Sequence, residues 1–295
     1  MKFIRAKHAG FCWGVRRAVE MAEASAAGSD GIVWTDGPLI HNRHEVARLA
    51  ECRIRECADP LALVSGDSIL IRAHGIPPAR KSWLEGRGLR VLDATCPNVR
   101  RIHRIVTEAV AAGEFVFIFG DKDHAEVIGI CGCCPADRVA TVSVADSAAV
   151  DSLDGFVFHL GDSCGRLPPP ETALCLVSQT TQEESRFRQL ASVVQAHWPR
   201  TRVVRTICTA THDRQGDLDE LAAVCDILVV VGSPSSANTG RLARLAAERC
   251  RTIVVDSADD LRAGDFSGCT CAGITAGAST PESVLVAGER RIAEF

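Results

Sequence analysis

The sequence has 295 residues, a length typical of about two domains. Hydrophobic residues make up 46% and charged residues 24%, a globular composition that excludes general disorder. The net charge of −4 gives no overall positive field for nucleic acid or an anionic membrane. No apolar run approaches the roughly 18 residues of a membrane helix, and the N-terminal segment lacks the apolar stretch of a secretory signal, so we expect a cytoplasmic protein.

Short apolar runs rich in Val and Ile alternate with helical patterns along the chain. The runs predict strands at residues 32–34, 68–71, 115–119, 173–177, 202–204, 227–231 and 252–255. Apolar side chains recur three and four residues apart in 99–106 and 187–194, which predicts an amphipathic helix through each segment. Alternation of strands and helices predicts an α/β fold built on parallel sheets.

A repeated pattern of a cysteine followed by a polar residue at a nearly fixed spacing indicates three similar units. In each unit a cysteine at a strand-to-helix junction is followed 28 or 29 residues later by a polar residue in a loop after a strand. The cysteines are Cys12, Cys96 and Cys208, and the polar residues are His41, His124 and Ser236. We therefore predict three similar α/β lobes with small parallel sheets, arranged with pseudo-threefold symmetry around a central cavity. The predicted lobes are residues 1–97, 98–206 and 207–295.

Fourteen cysteines in a chain without a secretory signal indicate metal ligation, catalysis or core packing rather than disulfides. Ligands of parallel α/β sheets bind beyond the carboxyl ends of the strands, so the three junction cysteines are expected to face one cavity. Zinc sites usually include a close cysteine pair, whereas these cysteines are widely spaced, which favours an iron–sulfur cluster. Such clusters normally have four cysteine ligands, and three leave one iron open to a substrate oxygen.

The polar loops indicate what the substrate carries. Histidine, hydroxyl and asparagine side chains beside strand ends and helix N-termini suit an anion such as a diphosphate. His124 and Glu126 flank Ala125 and are suited to moving protons.

Seven motifs occur in one order along the chain: GPLIHN, RAHGIPP, DATCPNV, GDKDHAEVIG, SQTT, GSPSSANT and TAGAS. In this order they closely resemble the family of LytB-type 4-hydroxy-3-methylbut-2-enyl diphosphate reductases of the non-mevalonate isoprenoid pathway, over nearly the whole chain. The resemblance implies an oxygen-sensitive [4Fe–4S] cluster with three cysteine ligands. It also implies reductive removal of the allylic hydroxyl to give isopentenyl and dimethylallyl diphosphate, with electrons arriving singly from ferredoxin or flavodoxin.

The motifs assign roles to residues of this chain. The resemblance implies that Cys12, Cys96 and Cys208 bind the cluster. It implies substrate-binding roles for His41, His74, Thr181, Ser236, Asn238 and Ser279. Around the substrate hydroxyl it places Glu126, His124 and Thr180, with Glu126 in the proton path.

The chain departs from the family pattern at three places. Ala237 stands where many relatives have a second hydroxyl residue, and Ala125 replaces the usual proline between His124 and Glu126. The segment Cys131-Gly132-Cys133-Cys134 has thiols where relatives have few or none. It is open to interpretation as a labile zinc site, a redox pair or a thiol-rich turn, of which we favour the turn.

Two other functions compete with this interpretation. A paralogous reductase acting on another allylic or acyl substrate is compatible with Ala237. A non-enzymatic redox or metal sensor would use the thiols of residues 131–134 and would function without Glu126.

Overall fold

The structure is a computed structural model of the chain and describes residues 1–144, 151–161 and 166–295. Cys164, one of the fourteen cysteines, lies outside the described residues. The chain forms two compact units, of which the first comprises Met1–Ala58 with Thr209–Phe295 and the second comprises Asp59–Cys208. The boundaries of the three predicted lobes stay a prediction.

The predicted α/β fold with small, mainly parallel sheets is confirmed. The strands are β1 (Lys2–Arg5), β2 (Val33–Thr35), β3 (Ile54–Glu56), β4 (Ser68–Ile71), β5 (Arg90–Asp93), β6 (Phe115–Phe119), β7 (Val139–Val144), β8 (Phe156–Leu160), β9 (Leu174–Ser178), β10 (Thr201–Val203), β11 (Ile227–Val231), β12 (Arg251–Val255) and β13 (Cys271–Ala276). The helices are α1 (Trp13–Ala27), α2 (Arg43–Glu51), α3 (Pro78–Gly86), α4 (Pro97–Ala111), α5 (Ala125–Cys131), α6 (Glu184–His197), α7 (Thr209–Ala222), α8 (Ala237–Ala247) and α9 (Glu282–Ala293). Among the described residues, no helix combines the length and apolar character needed to cross a membrane.

The first unit is built on a parallel sheet with strand order β1-β13-β11-β12. Every residue of β11 and β13 is buried, because their Val, Ile and Ala side chains pack against helices on the sheet faces. A separate parallel pair in this unit joins β2 to β3. Because β11 and β13 are adjacent and parallel, the loops that follow them leave the same edge of the sheet.

The second unit is built on a sheet with strand order β10-β9-β6-β7-β8, in which only the β7–β8 pair is antiparallel. Its core is aromatic on one face, where the rings of Phe117 and Trp198 meet edge to face with centroids 5.1 Å apart. A separate parallel pair in this unit joins β4 to β5. The adjacent strands β6 and β9 end at the same edge of the sheet. The predicted site residues His124, Glu126 and Thr180 follow these two strand ends.

The predicted helices at 99–106 and 187–194 are confirmed as parts of α4 and α6, whose apolar stripes are buried. The predicted strands at 68–71, 115–119 and 227–231 have the bounds of β4, β6 and β11. The other four predicted strands are shifted by one residue at one end or both.

A charged side chain stabilises the turn between β5 and α4. Asp93 accepts hydrogen bonds from the Thr95 backbone N–H and from Lys81 Nζ, both at 3.0 Å. Burial raises the pKa of this carboxyl, but the bonds from Thr95 and Lys81 outweigh it and lower the pKa to about 2. The ionised carboxylate is therefore favoured in the folded protein, in the turn that leads to Cys96.

We expect Asp93→Asn to lower the free energy of unfolding by about 1–2 kcal/mol at pH 7. The pKa of Asp93 is lower in the folded than in the unfolded chain, so its contribution is complete above the unfolded value near 4. It is lost as the pH falls towards the folded value of about 2. Urea unfolding of both proteins at pH 7, 4 and 2.5 measures the difference. A difference in the free energy of unfolding that stays constant over this pH range would contradict the lowered pKa of Asp93.

Candidate active site

In the first unit, the loops after β11 and β13 bring two predicted substrate-binding hydroxyls together. Ser236 Oγ and Ser279 Oγ lie 3.5 Å apart. Ser236 is the N-cap residue of α8, and its Oγ accepts a hydrogen bond from the Thr239 backbone N–H at 3.3 Å. An N-cap position places the hydroxyl beside the free N–H groups of the first helical turn, which favour an anion.

Two asparagine side chains of the first unit retain unused hydrogen-bonding capacity. Asn42 is the N-cap residue of α2, where its Oδ1 accepts from the Glu45 backbone N–H at 3.0 Å. Asn42 Nδ2 and Asn238 Nδ2 are both buried and have no hydrogen-bond partner among the described residues. A buried donor without a partner costs about 1–3 kcal/mol. Two such amides, one directly after His41 and one two residues after Ser236, therefore suit a bound acceptor.

Two glycines shape the same loops. A Cβ atom on Gly232 would lie 2.6 Å from Thr239 Oγ1, and one on Gly277 would lie 2.1 Å from the same atom. Gly232 also has φ of +152°. Larger residues at these positions would displace the first turn of α8, and with it Ser236 and Asn238.

In the second unit, the loops after β6 and β9 join the three residues predicted around the substrate hydroxyl. Thr180 donates from its backbone N–H to Glu126 Oε1 at 2.6 Å and from its hydroxyl to Glu126 Oε2 at 2.8 Å. Glu126 is 2% exposed and Thr180 6% exposed. The carboxyl group is therefore held in one orientation by a partner in the loop after the neighbouring strand β9.

His124 is positioned by the same helix as Glu126. It is the N-cap residue of α5, and its Nδ1 accepts a hydrogen bond from the Glu126 backbone N–H at 3.2 Å. This bond assigns the proton of the neutral ring to Nε2. The ring of His74 meets that of His124 edge to face with centroids 5.2 Å apart. The second unit thus groups His74, His124, Glu126 and Thr180.

Gln179 joins the two loops, although its position in the SQTT motif does not by itself predict a role for it. It is fully buried, its Oε1 accepts from the Asp121 backbone N–H at 3.1 Å, and its Nε2 donates to Thr181 Oγ1 at 3.0 Å. Thr181 is therefore oriented from within its own loop.

The three junction cysteines occupy equivalent positions in their elements. Cys12 and Cys96 are the N-cap residues of α1 and α4, and Cys208 directly precedes α7. All three are partly exposed. Cys12 Sγ accepts a hydrogen bond from the Val15 backbone N–H at 3.4 Å. Helix N-termini stabilise thiolates, which are the form that ligates metals.

A backbone hydrogen bond of the same kind fixes each of the three junction cysteines. The backbone N–H of Cys12 donates to Ala278 O at 3.1 Å, that of Cys96 to Ala73 O at 2.9 Å, and that of Cys208 to Thr180 O at 3.0 Å. Each acceptor lies in a loop that also carries a predicted site residue. The same contact therefore occurs three times, once in the first unit and twice in the second.

Within the described part of either unit, no three His, Cys, Asp or Glu side chains form a metal-binding group. Cys12 belongs to the first unit, whereas Cys96 and Cys208 belong to the second. Their joint ligation of one cluster stays a prediction. The donor set fits the cluster, because the three partly exposed thiols lie at helix N-termini.

The segment 131–134 forms a partly buried turn. Cys131 ends α5, its Sγ lies 3.5 Å from Thr141 Oγ1, and Cys133 Sγ donates to Gly129 O at 3.5 Å. Burial raises the pKa of Cys133 to about 11 and that of Cys134 to about 12. Thiols that stay protonated at neutral pH are poor nucleophiles, which supports the turn over a redox pair.

Known proteins are similar to this chain over nearly its whole length. The family model described as LytB protein matches residues 3–292. A 4-hydroxy-3-methylbut-2-enyl diphosphate reductase from Aquifex aeolicus is 36% identical over 293 residues, which cover 99% of this chain and 96% of the relative. The enzyme of the same name from Opitutus terrae is 37% identical over 297 residues, which cover 97% of this chain and 96% of the relative.

Solved structures agree with these matches. A structure of (E)-4-hydroxy-3-methyl-but-2-enyl diphosphate reductase, described as the terminal enzyme of the non-mevalonate pathway, has a TM-score of 0.67 and 35% identity and covers the whole of both chains. The Plasmodium falciparum E-1-hydroxy-2-methyl-but-2-enyl-4-diphosphate reductase has a TM-score of 0.87 at 24% identity, with 99% of this chain and 87% of that chain covered, and is similar in fold.

The fold, the polar loops at the strand ends and these relatives define an oxidoreductase. The chain belongs to the LytB protein family, whose model spans nearly all of it.

Proposed function

We propose that the protein reduces 4-hydroxy-3-methylbut-2-enyl diphosphate to isopentenyl and dimethylallyl diphosphate. The observation that carries the proposal is the buried Glu126–Thr180 pair beside two histidines, in a unit that also holds Cys96 and Cys208. A carboxyl group fixed by two hydrogen bonds suits proton delivery to one atom of a bound substrate. Relatives named as reductases of this diphosphate are more than one third identical to the chain, which supports the proposed substrate.

In this proposal Cys12, Cys96 and Cys208 are the ligands of a [4Fe–4S] cluster. The cluster, when bound, supplies electrons one at a time and an open iron as a Lewis acid. The overall reaction consumes two electrons and two protons and releases the hydroxyl as water. Ferredoxin or flavodoxin is the proposed source of the electrons.

In this proposal the diphosphate is bound by polar side chains of the substrate-binding motifs. The donor-rich residues at helix starts and strand ends are His41, His74, Thr181, Ser236, Asn238 and Ser279. The unpartnered Asn238 Nδ2 and the close pair Ser236–Ser279 support an anion site in the first unit. Ala237 is the first residue of α8 and offers its backbone N–H in place of a second hydroxyl.

Glu126 is the proposed proton donor to the departing hydroxyl. Hydroxide is a poor leaving group, so oxygen must be protonated as the C–O bond breaks. Thr180 orients the carboxyl group through Oε1 and Oε2, and His124 fixes the helix start on which Glu126 lies. The proton moves from the carboxyl oxygen to the substrate oxygen, and the carboxylate that forms keeps both bonds from Thr180.

Anaerobic reconstitution with iron and sulfide tests the proposal. We expect about four irons and four sulfides per chain, an EPR spectrum of a reduced cluster, and conversion of the diphosphate substrate with dithionite as reductant. Other allylic alcohols are assayed alongside, because a paralogous reductase would convert one of them instead. A loaded cluster with no turnover of the diphosphate would reject the proposed substrate.

We expect His41→Ala and His74→Ala to weaken substrate binding by roughly 10–100-fold, because each removes a charge-assisted hydrogen bond to the diphosphate. Anaerobic calorimetry of the iron-loaded proteins measures the Kd, and iron analysis checks that the cluster is retained. His44→Ala is the matched control, since His44 is an exposed residue of the same helix start as His41. Equal binding by all four proteins would remove both histidines from the diphosphate site.

A further inference from the structure

Two charged residues of α7 are buried in the first unit. Arg214 is 4% exposed and Asp217 is 5% exposed. Burial of a charged group is costly unless hydrogen bonds replace the water that the group loses. Neither residue takes part in the proposed reaction, so the groups that they bind indicate why the charges are buried.

Both side chains bind the loop that leads from β1 to Cys12. Arg214 donates from Nη2 to Gly10 O at 2.6 Å, in a bond that is itself buried. Asp217 Oδ2 accepts from the His8 backbone N–H at 2.8 Å, and Asp217 Oδ1 lies 3.1 Å from His8 Nδ1. The helix α7 thus holds the loop at two points, which are four and two residues before Cys12.

The loop depends on these bonds because its own sequence restrains it weakly. Gly10 has φ of +91°, and glycine loses more conformational freedom on folding than any other residue. The start of the loop is held by the bond from Ala6 N–H to Ile274 O, at 2.8 Å. Its end is held by the bond from Cys12 N–H to Ala278 O, at 3.1 Å. Between these ends, the bonds from α7 fix the path of the chain.

We infer that Arg214 and Asp217, named here the α7 clamp, are positioning residues that hold Cys12 in place for metal binding. The inference rests on the proposed function, because it requires a cluster ligand at Cys12. The clamp acts through the backbone of residues 8–12 and supplies no ligand itself. Apolar side chains would fill the same space at a lower desolvation cost, so the charges serve position rather than packing.

A ligand that is held in position before the metal binds loses less conformational freedom on binding. Hydrogen bonds from an ionised side chain are also stronger than those between neutral groups, which suits a guanidinium or a carboxylate to fixing a flexible loop. We therefore expect the clamp to slow the release of the cluster.

Amide hydrogen exchange of the metal-free protein tests the clamp without the cluster. We expect Arg214→Met and Asp217→Ala each to raise the exchange rate of the segment 8–12 by at least about tenfold, because each removes a charge-assisted bond to the loop. Methionine and alanine are strong helix formers, so both variants should retain α7. His8→Ala is a milder third variant, because the His8 side chain is 47% exposed and only its Nδ1 contact is lost.

Iron release from the loaded protein tests the effect on the ligand. With an iron chelator under anaerobic conditions, we expect Arg214→Met and Asp217→Ala to lose iron at least about tenfold faster than the wild type. Arg249→Met is the matched control, because Arg249 binds Asp219 of α7 at 2.5 Å and its loss leaves the bonds to the loop intact. Leu245→Ala removes a buried core side chain of α8 and controls for a general loss of stability. Both controls should release iron at close to the wild-type rate.

Wild-type exchange of the segment 8–12 in the folded clamp variants would overturn the inference. Iron release no faster than from Leu245→Ala would overturn it as well, since the two charges would then affect stability alone. If the variants at the two buried positions do not fold, His8→Ala decides the outcome, with a smaller rise expected in both rates. Failure of the wild type to bind a cluster would instead reject the proposed function.

Discussion

Cys96→Ser is expected to remove the cluster and all activity with the diphosphate. Cys96 caps α4, and its backbone N–H is fixed to Ala73 O at 2.9 Å, so the side chain is held in place by bonds that do not involve sulfur. Serine keeps these bonds and the helix cap but lacks the thiolate that binds iron. The protein should therefore fold and fail to retain iron. Iron and sulfide analysis with circular dichroism measures both properties.

Cys225→Ser is the matched control for this experiment. Cys225 is 8% exposed, packs in the core of the first unit, and its Sγ lies 3.7 Å from Cys271 Sγ. Burial raises the pKa of this thiol to about 12, so it stays protonated at neutral pH. We expect the variant to lose some stability and to keep its cluster. Loss of iron from a folded Cys225→Ser protein would show that the ligand assignment is wrong.

The parts of the fold that the sequence predicts best are its fully buried strands. Every residue of β4, β6 and β11 is buried. An uninterrupted apolar run marks both ends of β6 and β11, and it marks β4 from its second residue onwards. In contrast, β3 and β5 have exposed charged residues within runs of three and four residues. Their strand conformation depends on parallel pairing with β2 and β4, a contact between distant segments that local patterns do not contain.

The candidate site, like the fold, is only partly predictable from the sequence. Residue types and spacing identify the side chains, because thiols, imidazoles and hydroxyls recur at junctions after strands. The bonds that orient them are not predictable from spacing. The bond from Cys12 to Ala278 and that from Thr180 to Glu126 join residues far apart in the chain, and they exist only once the parallel strands have brought the loops together.

Glu126→Gln is expected to slow turnover by about 10²–10⁴-fold, the usual contribution of general acid catalysis. Glutamine has the size of glutamate, and its amide oxygen accepts the bond from the Thr180 backbone N–H that Glu126 Oε1 accepts at 2.6 Å. The Thr180 hydroxyl can rotate to accept from the new amide, so the loop keeps its position. What the variant lacks is a proton to give to the departing hydroxyl. Substrate binding and iron content should therefore stay near wild type.

Single-turnover kinetics with dithionite isolate this step, since no protein donor takes part. Glu114→Gln is the matched control, because Glu114 belongs to the same unit but lies before β6, at the opposite end of the strand from Glu126. It is bound to Arg202 at 2.5 and 3.2 Å, so its neutralisation affects stability rather than the reaction. If Glu126→Gln converts the diphosphate at the rate of Glu114→Gln, the proton comes from another group. His124 and Thr180 are then the next candidates, because they are the groups already hydrogen-bonded to Glu126.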